Sequence, residues 1–224
     1  MNKQDKQVII VAGGKGLRMG GDIPKQFMLL EGRPVLMHTI QAFYDYDSEI
    51  CIILVLPDEQ IVYWENLCTD YDFSIPHQIV SGGETRFHSV KNGLAVIKTS
   101  NALIGIHDGV RPLVDKELIA RVYEQAELKG AAYPVVPVTD SIRKGNVAVD
   151  RSQYFLVQTP QVFKADILIE AYKQEYKTEF TDDVSVVETS GICRPIMVEG
   201  SRKNIKITTS IDLIIVQALM RCKI

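Results

Sequence analysis

The chain has 224 residues, of which 46% are hydrophobic and 24% are charged, and its formal net charge at pH 7 is −3. A chain of this size and composition can bury a substantial core, so we expect one domain over residues 1–224, without nucleic acid or an anionic membrane surface as its main partner. The short polar N-terminus and the lack of an apolar run of about 20 residues predict a cytoplasmic protein without a signal peptide or membrane span.

Apolar runs rich in β-branched residues alternate along the chain with segments of helical length and spacing. The predicted strands are 8–12, 51–56, 102–107 and 131–138, with a weaker candidate at 74–80. The predicted helices are 35–46, 59–69, 85–97, 116–129 and 211–221. Because the strands are apolar throughout, both faces of the sheet should be covered. This predicts a Rossmann-like α/β fold, in which a mostly parallel twisted sheet has helices on both faces.

The segment 140–158 departs from this alternation. Its polar and apolar residues alternate around Gly145-Asn146, which predicts a β-hairpin, and a further strand is expected towards Gln158. We therefore expect the segment to project from the domain as a β-arm.

A glycine-rich loop follows the first predicted strand. Glycines within residues 13–16 let the backbone turn several N–H groups inward, which is an arrangement that binds phosphate. Neither a dinucleotide fingerprint nor a P-loop fits, because Met19 stands where the fingerprint needs glycine and no G-x-x-x-x-G-K-[ST] sequence occurs. The basic residues Arg18 and Lys25 suit an anion whose charge grows during a reaction. The alternative is a loop with solvated basic side chains.

A second glycine loop precedes the helix predicted at 85–97. Gly82, Gly83 and Ser89 lie in the sequence SGGETRFHSV, where backbone and hydroxyl groups could face the edge of a base. Taken alone, this loop is a weak indication of nucleotide binding.

Asp108 ends an apolar predicted strand, in the sequence IHDGVRP. A carboxylate there can hold Mg²⁺ against phosphate oxygens, and Arg111 follows it. The alternative role for Asp108 is to cap a helix or turn.

Two later stretches allow both a structural and a functional interpretation. Thr181 or Asp182 precedes a helical run and could cap it. The stretch 200–209 is strand-like and carries Lys203 and Lys206, which could instead form a solvated edge.

One set of motifs occurs in order along nearly the whole chain. They are A-G-G-x-G-x-R-M followed by P-K-Q-F, then G-G-x-x-R-x-x-S-V, H-D-G-V-R-P, VDRSQYFLVQTPQVF, TDD and VEGSRKNIKIT. This set resembles the 2-C-methyl-D-erythritol 4-phosphate cytidylyltransferase family of the non-mevalonate isoprenoid pathway. The related ribitol-5-phosphate cytidylyltransferase shares the glycine loop, P-K-Q and H-D-x-x-R-P, whereas TRFHSV and VDRSQYFLVQTPQ look more like the methylerythritol branch.

The resemblance implies a homodimeric enzyme that joins CTP and a sugar-alcohol phosphate, with Mg²⁺ as cofactor. The implied nucleotide-binding residues are Ala12, Gly13, Gly14, Gly82, Gly83, Ser89 and Lys206, with Asp108 holding the metal. The groups implied to stabilise charge at the α-phosphate are Arg18 and Lys25. The implied sugar-phosphate ligands are Arg111, Thr181 and, from the arm of a partner subunit, Ser141 and Arg151.

The implied reaction needs no protein nucleophile. An oxygen of the sugar phosphate attacks the α-phosphorus of CTP in line, and since that phosphate is already anionic, a general base has little to do. Two other interpretations stay open: a nucleotide-binding regulator without activity, and a sugar nucleotidyltransferase that prefers UTP or GTP.

Overall fold

The computed structural model, which describes residues 5–14 and 23–222, has the predicted α/β fold. The strands are β1 (Asp5–Val11), β2 (Leu29–Leu30), β3 (Arg33–Pro34), β4 (Cys51–Leu56), β5 (Gln78–Ser81), β6 (Ala102–Asp108), β7 (Ala131–Pro137), β8 (Ile142–Lys144), β9 (Val147–Val149), β10 (Phe155–Val157), β11 (Gln161–Lys164) and β12 (Ile196–Glu199). The helices are α1 (Val35–Tyr46), α2 (Asp58–Asp70), α3 (Arg86–Ala95), α4 (Lys116–Lys129), α5 (Ala165–Ala171), α6 (Asp183–Ser190) and α7 (Ser210–Arg221).

The main sheet has the strand order β10-β7-β11-β6-β1-β4-β5, and β12 also pairs with β7. β1 runs parallel to both β4 and β6, and β4 runs parallel to β5. β11 lies antiparallel between β6 and β7, a position that the sequence pattern did not predict. In the register of the parallel strands, Val11 lies opposite Val55 on one side and Asp108 on the other. The loops that follow β1, β4 and β6 therefore meet at one edge of the sheet.

The core lies on both faces of the sheet, as predicted. Successive residues of β1 point to opposite faces: Val8 and Ile10 pack with residues of α1, α2 and α4, whereas Ile9 packs with residues of α3, α5 and α6. All three side chains are completely buried. The continuous apolarity of the strand follows from this burial on two sides.

The segment 140–158 contains the predicted hairpin and further strand. β8 and β9 pair antiparallel, with Ile142 opposite Val149, and Gly145 in the turn has a φ of 60°. β10 then pairs with the end of β7. In the part of the chain that the structure describes, β8 and β9 form a two-stranded sheet of their own, separate from the main sheet.

The strand-like prediction for 200–209 is wrong. The backbone N–H of Gly200 donates to the Val135 carbonyl and that of Ile207 donates to the Val110 carbonyl, while the segment between them turns without strand pairing. Asn204, in the middle of the segment, is completely buried. The segment crosses the carboxyl edge of the sheet, so its apolar residues pack under that edge and do not alternate along a strand.

Among residues 5–14 and 23–222, the helices are all too short or too polar to span a lipid bilayer.

Candidate active site

A cavity of ≈ 570 Å³ lies at the carboxyl ends of β1, β4, β5 and β6. This volume is within the range of small-molecule sites, and the position is where open parallel sheets bind their ligands. The cavity walls come from the first glycine loop, the second glycine loop and the end of β6.

The first wall joins residues 12–14 to Lys25. The Ala12 N–H donates to the Val55 carbonyl at 3.0 Å. Lys25 begins a short 3₁₀ turn, Lys25–Phe27, and is only 8% exposed. A Cβ atom built on Gly14 would lie 3.6 Å from Cε of Lys25, so the lysine side chain runs alongside the loop. Residues 12–14 and Lys25 all line the cavity, whereas Arg18 lies outside the described residues.

The second wall is the loop of Gly82 and Gly83. Ser89 Oγ accepts a hydrogen bond from the Gly83 N–H at 3.1 Å and donates to the Thr85 carbonyl at 3.0 Å. A Cβ on Gly83 would lie 2.5 Å from the Cβ of His88, so the close turn requires glycine. The predicted trio of Gly82, Gly83 and Ser89 thus lines the cavity, with the serine hydroxyl holding the shape of the loop.

The third wall is centred on Asp108. Its Oδ2 atom lies 3.0 Å from Nε of Arg111 and 3.1 Å from Nζ of Lys206. On the other side of the carboxylate, Nε of Arg86 lies 3.9 Å from Oδ1. Burial alone would raise the pKa of Asp108, but these cations outweigh burial and hold that pKa well below its usual value. Asp108 is therefore charged at neutral pH. Among the described residues, its side chain contacts cations and does not cap a helix or turn.

A buried hydrogen-bond network supports Asp108 from behind. The Asp108 N–H donates to Oγ1 of Thr159 at 3.1 Å, and that hydroxyl lies 3.0 Å from Nδ1 of His107. Nε2 of His107 lies 3.3 Å from the Arg111 carbonyl. Burial lowers the pKa of His107 to about 3, so the ring is neutral. The three contacts are all satisfied when Thr159 donates to Nδ1 and Nε2–H donates to Arg111.

The end of β6 approaches β1 closely at Gly109. The Gly109 N–H donates to the Val11 carbonyl at 2.9 Å. A Cβ on Gly109 would lie 2.8 Å from the Cβ of Ala12, so glycine lets the Asp108 turn lie against the first glycine loop.

A family model described as "IspD: 2-C-methyl-D-erythritol 4-phosphate cytidylyltransferase" matches residues 7–222. The chain belongs to this cytidylyltransferase family. A relative of that name from Azobacteroides pseudotrichonymphae is 56% identical over 221 residues, which are 97% of this chain and 99% of the relative. Another, from Phocaeicola vulgatus, is 56% identical over 222 residues, with 96% of this chain and all of the relative covered.

Solved structures agree with this membership. The Francisella tularensis 2-C-methyl-D-erythritol 4-phosphate cytidylyltransferase is 33% identical and superposes with a TM-score of 0.79, covering 96% of this chain and 99% of the other. The 4-diphosphocytidyl-2C-methyl-D-erythritol synthase of Anaerococcus prevotii is 26% identical, with a TM-score of 0.81 and coverages of 97% and 99%. The predicted family is confirmed over the ribitol-5-phosphate alternative, and membership makes the chain a nucleotidyltransferase rather than a regulator without activity.

Four of the predicted site residues that the structure describes do not line this cavity in the single chain. Arg111 is buried behind Asp108, where its Nη1 also donates to the Asn204 carbonyl at 2.8 Å. Thr181 is exposed just before α6, and Ser141 and Arg151 are exposed on the segment 140–158. Arg151 donates to the Thr139 carbonyl. Asp182, next to Thr181, is the N-cap of α6, so the capping interpretation is confirmed for Asp182.

Gln26 and Arg86 are two of the cavity residues to which the sequence analysis gave no role. Gln26 lines the cavity and is 1% exposed, and Arg86 lines it beside Asp108. Both occupy fixed places in quoted motifs, the P-K-Q-F and G-G-x-x-R sequences. Their places in these motifs were therefore a signal in the sequence, but the role of each side chain depends on contacts with residues distant in sequence.

Proposed function

We propose that this cytidylyltransferase transfers the cytidylyl group of CTP to 2-C-methyl-D-erythritol 4-phosphate and releases pyrophosphate. The observation that carries the proposal is that residues of two glycine loops line the same cavity as a carboxylate surrounded by cations. A triphosphate needs backbone N–H donors and positive charge, and the base needs a separate close-fitting loop. The names of the relatives favour this nucleotide and this acceptor. CTP consumption fits the cytoplasmic location expected from the sequence.

We assign the triphosphate to the side of the cavity formed by residues 12–14, Lys25 and Lys206, with Arg18 as a further cation. The cytosine is assigned to the loop of Gly82 and Gly83. Because the Ser89 hydroxyl already holds this loop at two points, we expect the serine to shape the loop and the backbone to contact the base.

The proposed chemistry is one in-line substitution at phosphorus. An oxygen of the sugar phosphate forms a bond to the α-phosphorus, while the bond from that phosphorus to the α–β bridging oxygen breaks. Pyrophosphate leaves with the electron pair, and no proton has to move. Catalysis then consists of alignment and charge stabilisation, for which the preorganised ammonium of Lys25 is placed beside the glycine loop.

The residues present fit a magnesium ion that arrives with the nucleotide. In the part of the chain that the structure describes, no group of three or more His, Cys, Asp or Glu side chains could hold a metal, so a complete protein cage is not formed there. Asp108 supplies one carboxylate that is charged at neutral pH, and Mg²⁺ commonly takes one or two carboxylates together with substrate phosphates. When bound, the ion would neutralise phosphate charge and make pyrophosphate a better leaving group.

The acceptor site is proposed to be shared between two subunits. Phe155, Leu156 and Val157 of β10 are each more than two-fifths exposed, which leaves an apolar strand on the surface. A two-fold dimer that covers this strand would exchange arms reciprocally, so that the arm of one subunit brings Ser141 and Arg151 to the other site. Thr181 would complete the phosphate ligands, while Arg111, held behind Asp108, would contribute its charge.

The test is pyrophosphate release by the purified protein with each of the four ribonucleoside triphosphates. We expect turnover with CTP and 2-C-methyl-D-erythritol 4-phosphate, and much slower turnover with ribitol 5-phosphate. Faster release with UTP or GTP would refute the assignment of the nucleotide. Faster release with ribitol 5-phosphate would refute the assignment of the acceptor.

A further inference from the structure

Arg86 lies between two carboxylates that have different surroundings. Its Nη1 and Nη2 atoms donate to Oδ1 and Oδ2 of Asp183 at 2.9 and 2.6 Å, a bidentate pair. Its Nε atom stops 3.9 Å short of Asp108 Oδ1, which is beyond hydrogen-bond distance. The guanidinium is therefore bound to Asp183 and only faces Asp108.

Asp183 is itself held in place. Its side chain is completely buried at the start of α6, and Oδ1 also accepts a hydrogen bond from the Tyr172 hydroxyl at 2.6 Å. Its backbone N–H donates to Oε1 of Gln161 at 3.0 Å. The Asp183 carboxylate is fully buried and the Arg86 side chain is 31% exposed, so the cost of removing charge from water offsets much of the attraction between them. What the pair provides is a fixed orientation of Arg86.

The two oxygens of Asp108 differ as a result. Oδ2 contacts both Arg111 and Lys206 at hydrogen-bond distance, whereas Oδ1 has no hydrogen-bonding cation among the described residues. Without Asp183, the guanidinium of Arg86 would need to move by only about 1 Å to hydrogen-bond Oδ1. Arg86, Arg111 and Lys206 would then all compete with a metal for the carboxylate.

We propose that Asp183 is a positioning residue that restrains Arg86 and so keeps Asp108 Oδ1 available to the divalent cation that accompanies CTP. The inference rests on the proposed function. Arg86 follows the second glycine loop directly and lines the cavity, so its charge still serves the triphosphate. The restraint lets one site contain a cation for phosphate and a carboxylate for metal without the two neutralising each other.

The experiment measures the ratio of two dissociation constants of CTP by isothermal titration calorimetry, without acceptor. One is measured in EDTA and the other with saturating Mg²⁺, so the ratio reports how much the metal strengthens binding. In Asp183→Asn we expect this ratio to fall roughly tenfold, the size of coupling expected within one charge network. In Arg86→Met the ratio should not fall, because the competing group is gone. In the double variant it should return to within about twofold of the wild-type value.

A matched control is Glu170→Gln, which makes the same change of charge in an exposed ion pair with Lys173 and should leave the ratio unchanged. If Asp183 serves stability alone, Asp183→Asn will lower the melting temperature without changing the ratio, and the inference is wrong. It is also wrong if Arg86→Met lowers the ratio, or if the double variant stays as low as Asp183→Asn.

A crystal structure of Asp183→Asn tests the inference without nucleotide. We expect a guanidinium nitrogen of Arg86 within about 3.2 Å of Asp108 Oδ1. An unmoved Arg86 would overturn the restraint even if CTP proved not to bind. If Asp183→Asn does not fold, Arg86→Met still tests the inference, because a ratio below the wild-type value would overturn it. Failure of the wild-type protein to bind CTP would refute the proposed function instead.

Discussion

The side-chain amide of Gln26 donates to the Ala12 carbonyl at 2.8 Å and to Oε1 of Gln60 at 2.7 Å. These two bonds use both amide protons. They tie the turn that begins at Lys25 to the end of β1 and to α2, so the position of the proposed catalytic lysine is set by its neighbour in sequence.

Replacing Gln26 tests this connection. Gln26→Leu keeps the side-chain volume but leaves the Ala12 carbonyl without this donor. We expect the free energy of unfolding to fall by about 1–3 kcal/mol and kcat to fall by roughly tenfold or more, because Lys25 loses its alignment. Urea denaturation and pyrophosphate release measure the two effects. The control is Gln41→Leu, which removes an exposed bond to Asp45; equal kcat in the two variants would contradict the proposed connection.

Lys25 is expected to act on the transition state more than on bound CTP. Lys25→Ala should lower kcat by roughly 10²-fold, the loss seen when one preorganised charge-stabilising group is removed, while the Kd of CTP changes much less. Steady-state kinetics and calorimetry separate the two quantities. Lys116→Ala, at an exposed position on α4, should change neither. A Lys25→Ala enzyme with near-normal kcat would remove Lys25 from the mechanism.

Asp108→Asn should abolish Mg²⁺-dependent turnover, because a neutral amide is a poor ligand for a hard cation. It should also lower the free energy of unfolding by about 1–3 kcal/mol, since the buried Arg111 guanidinium loses its charged acceptor. EDTA should stop the wild-type reaction. Activity that survives chelation, or an unchanged Mg²⁺ dependence in the variant, would count against a metal-binding role for Asp108.

The shared acceptor site can be tested by complementation between two nearly inactive variants. If Arg151 acts on the other subunit, dimers formed from Lys25→Ala and Arg151→Ala chains contain one intact site and one doubly altered site. Refolding an equal mixture makes about half of the dimers mixed, so roughly a quarter of all sites should recover activity. No recovery, with mixed dimers present by mass spectrometry, would mean that Arg151 serves its own chain or neither.

Acid should destabilise the fold through His107. Its pKa is about 3 in the folded chain, because burial opposes the charged form, whereas the unfolded chain has the ordinary value of 6.5. Below that value the unfolded chain binds a proton that the folded chain excludes, so stability falls as the pH drops from 6.5 towards 3. The expected loss from this group is roughly 3 kcal/mol at pH 4.

Urea denaturation between pH 7 and pH 4 measures this loss. Burial also lowers the pKa values of His38 and His77, which adds to the loss in the same direction. His107→Gln should show a shallower dependence on pH than the wild type. Parallel curves for the two proteins would assign the acid sensitivity to other groups.

Local signals were sufficient to predict much of the fold. The bounds of β4, α1 and α4 agree with the predicted ones, because each element has a strong apolar pattern and α4 also begins at the Asp115 cap and ends at Gly130. The position of β11 could not be predicted, since a four-residue strand gains its place only by pairing with β6 and β7. The 200–209 prediction failed for the same reason: its residues pack against a sheet edge that other segments create.

In the candidate site, too, local motifs could be predicted from the sequence, whereas contacts between distant residues could not. The glycine loops and Asp108 carry their chemistry in short motifs, and the structure brings them together where parallel strands end. The pairing of Arg86 with Asp183 joins residues 97 positions apart, so no window of sequence contains it. The proposed acceptor role of Ser141 and Arg151 requires a second subunit, which a single chain cannot supply.

The stretch 138–154, which contains the β8–β9 hairpin, begins and ends at neighbouring points of the main sheet, because Pro137 of β7 lies directly opposite Phe155 of β10. A two-residue Asn-Gly turn has the span needed to close this antiparallel pair, so it could replace residues 138–154. Such a shortened chain would keep every strand of the main sheet in register. None of the residues that line the nucleotide cavity lies in this stretch. The proposed acceptor ligands Ser141 and Arg151 can therefore be exchanged or removed without rebuilding that cavity.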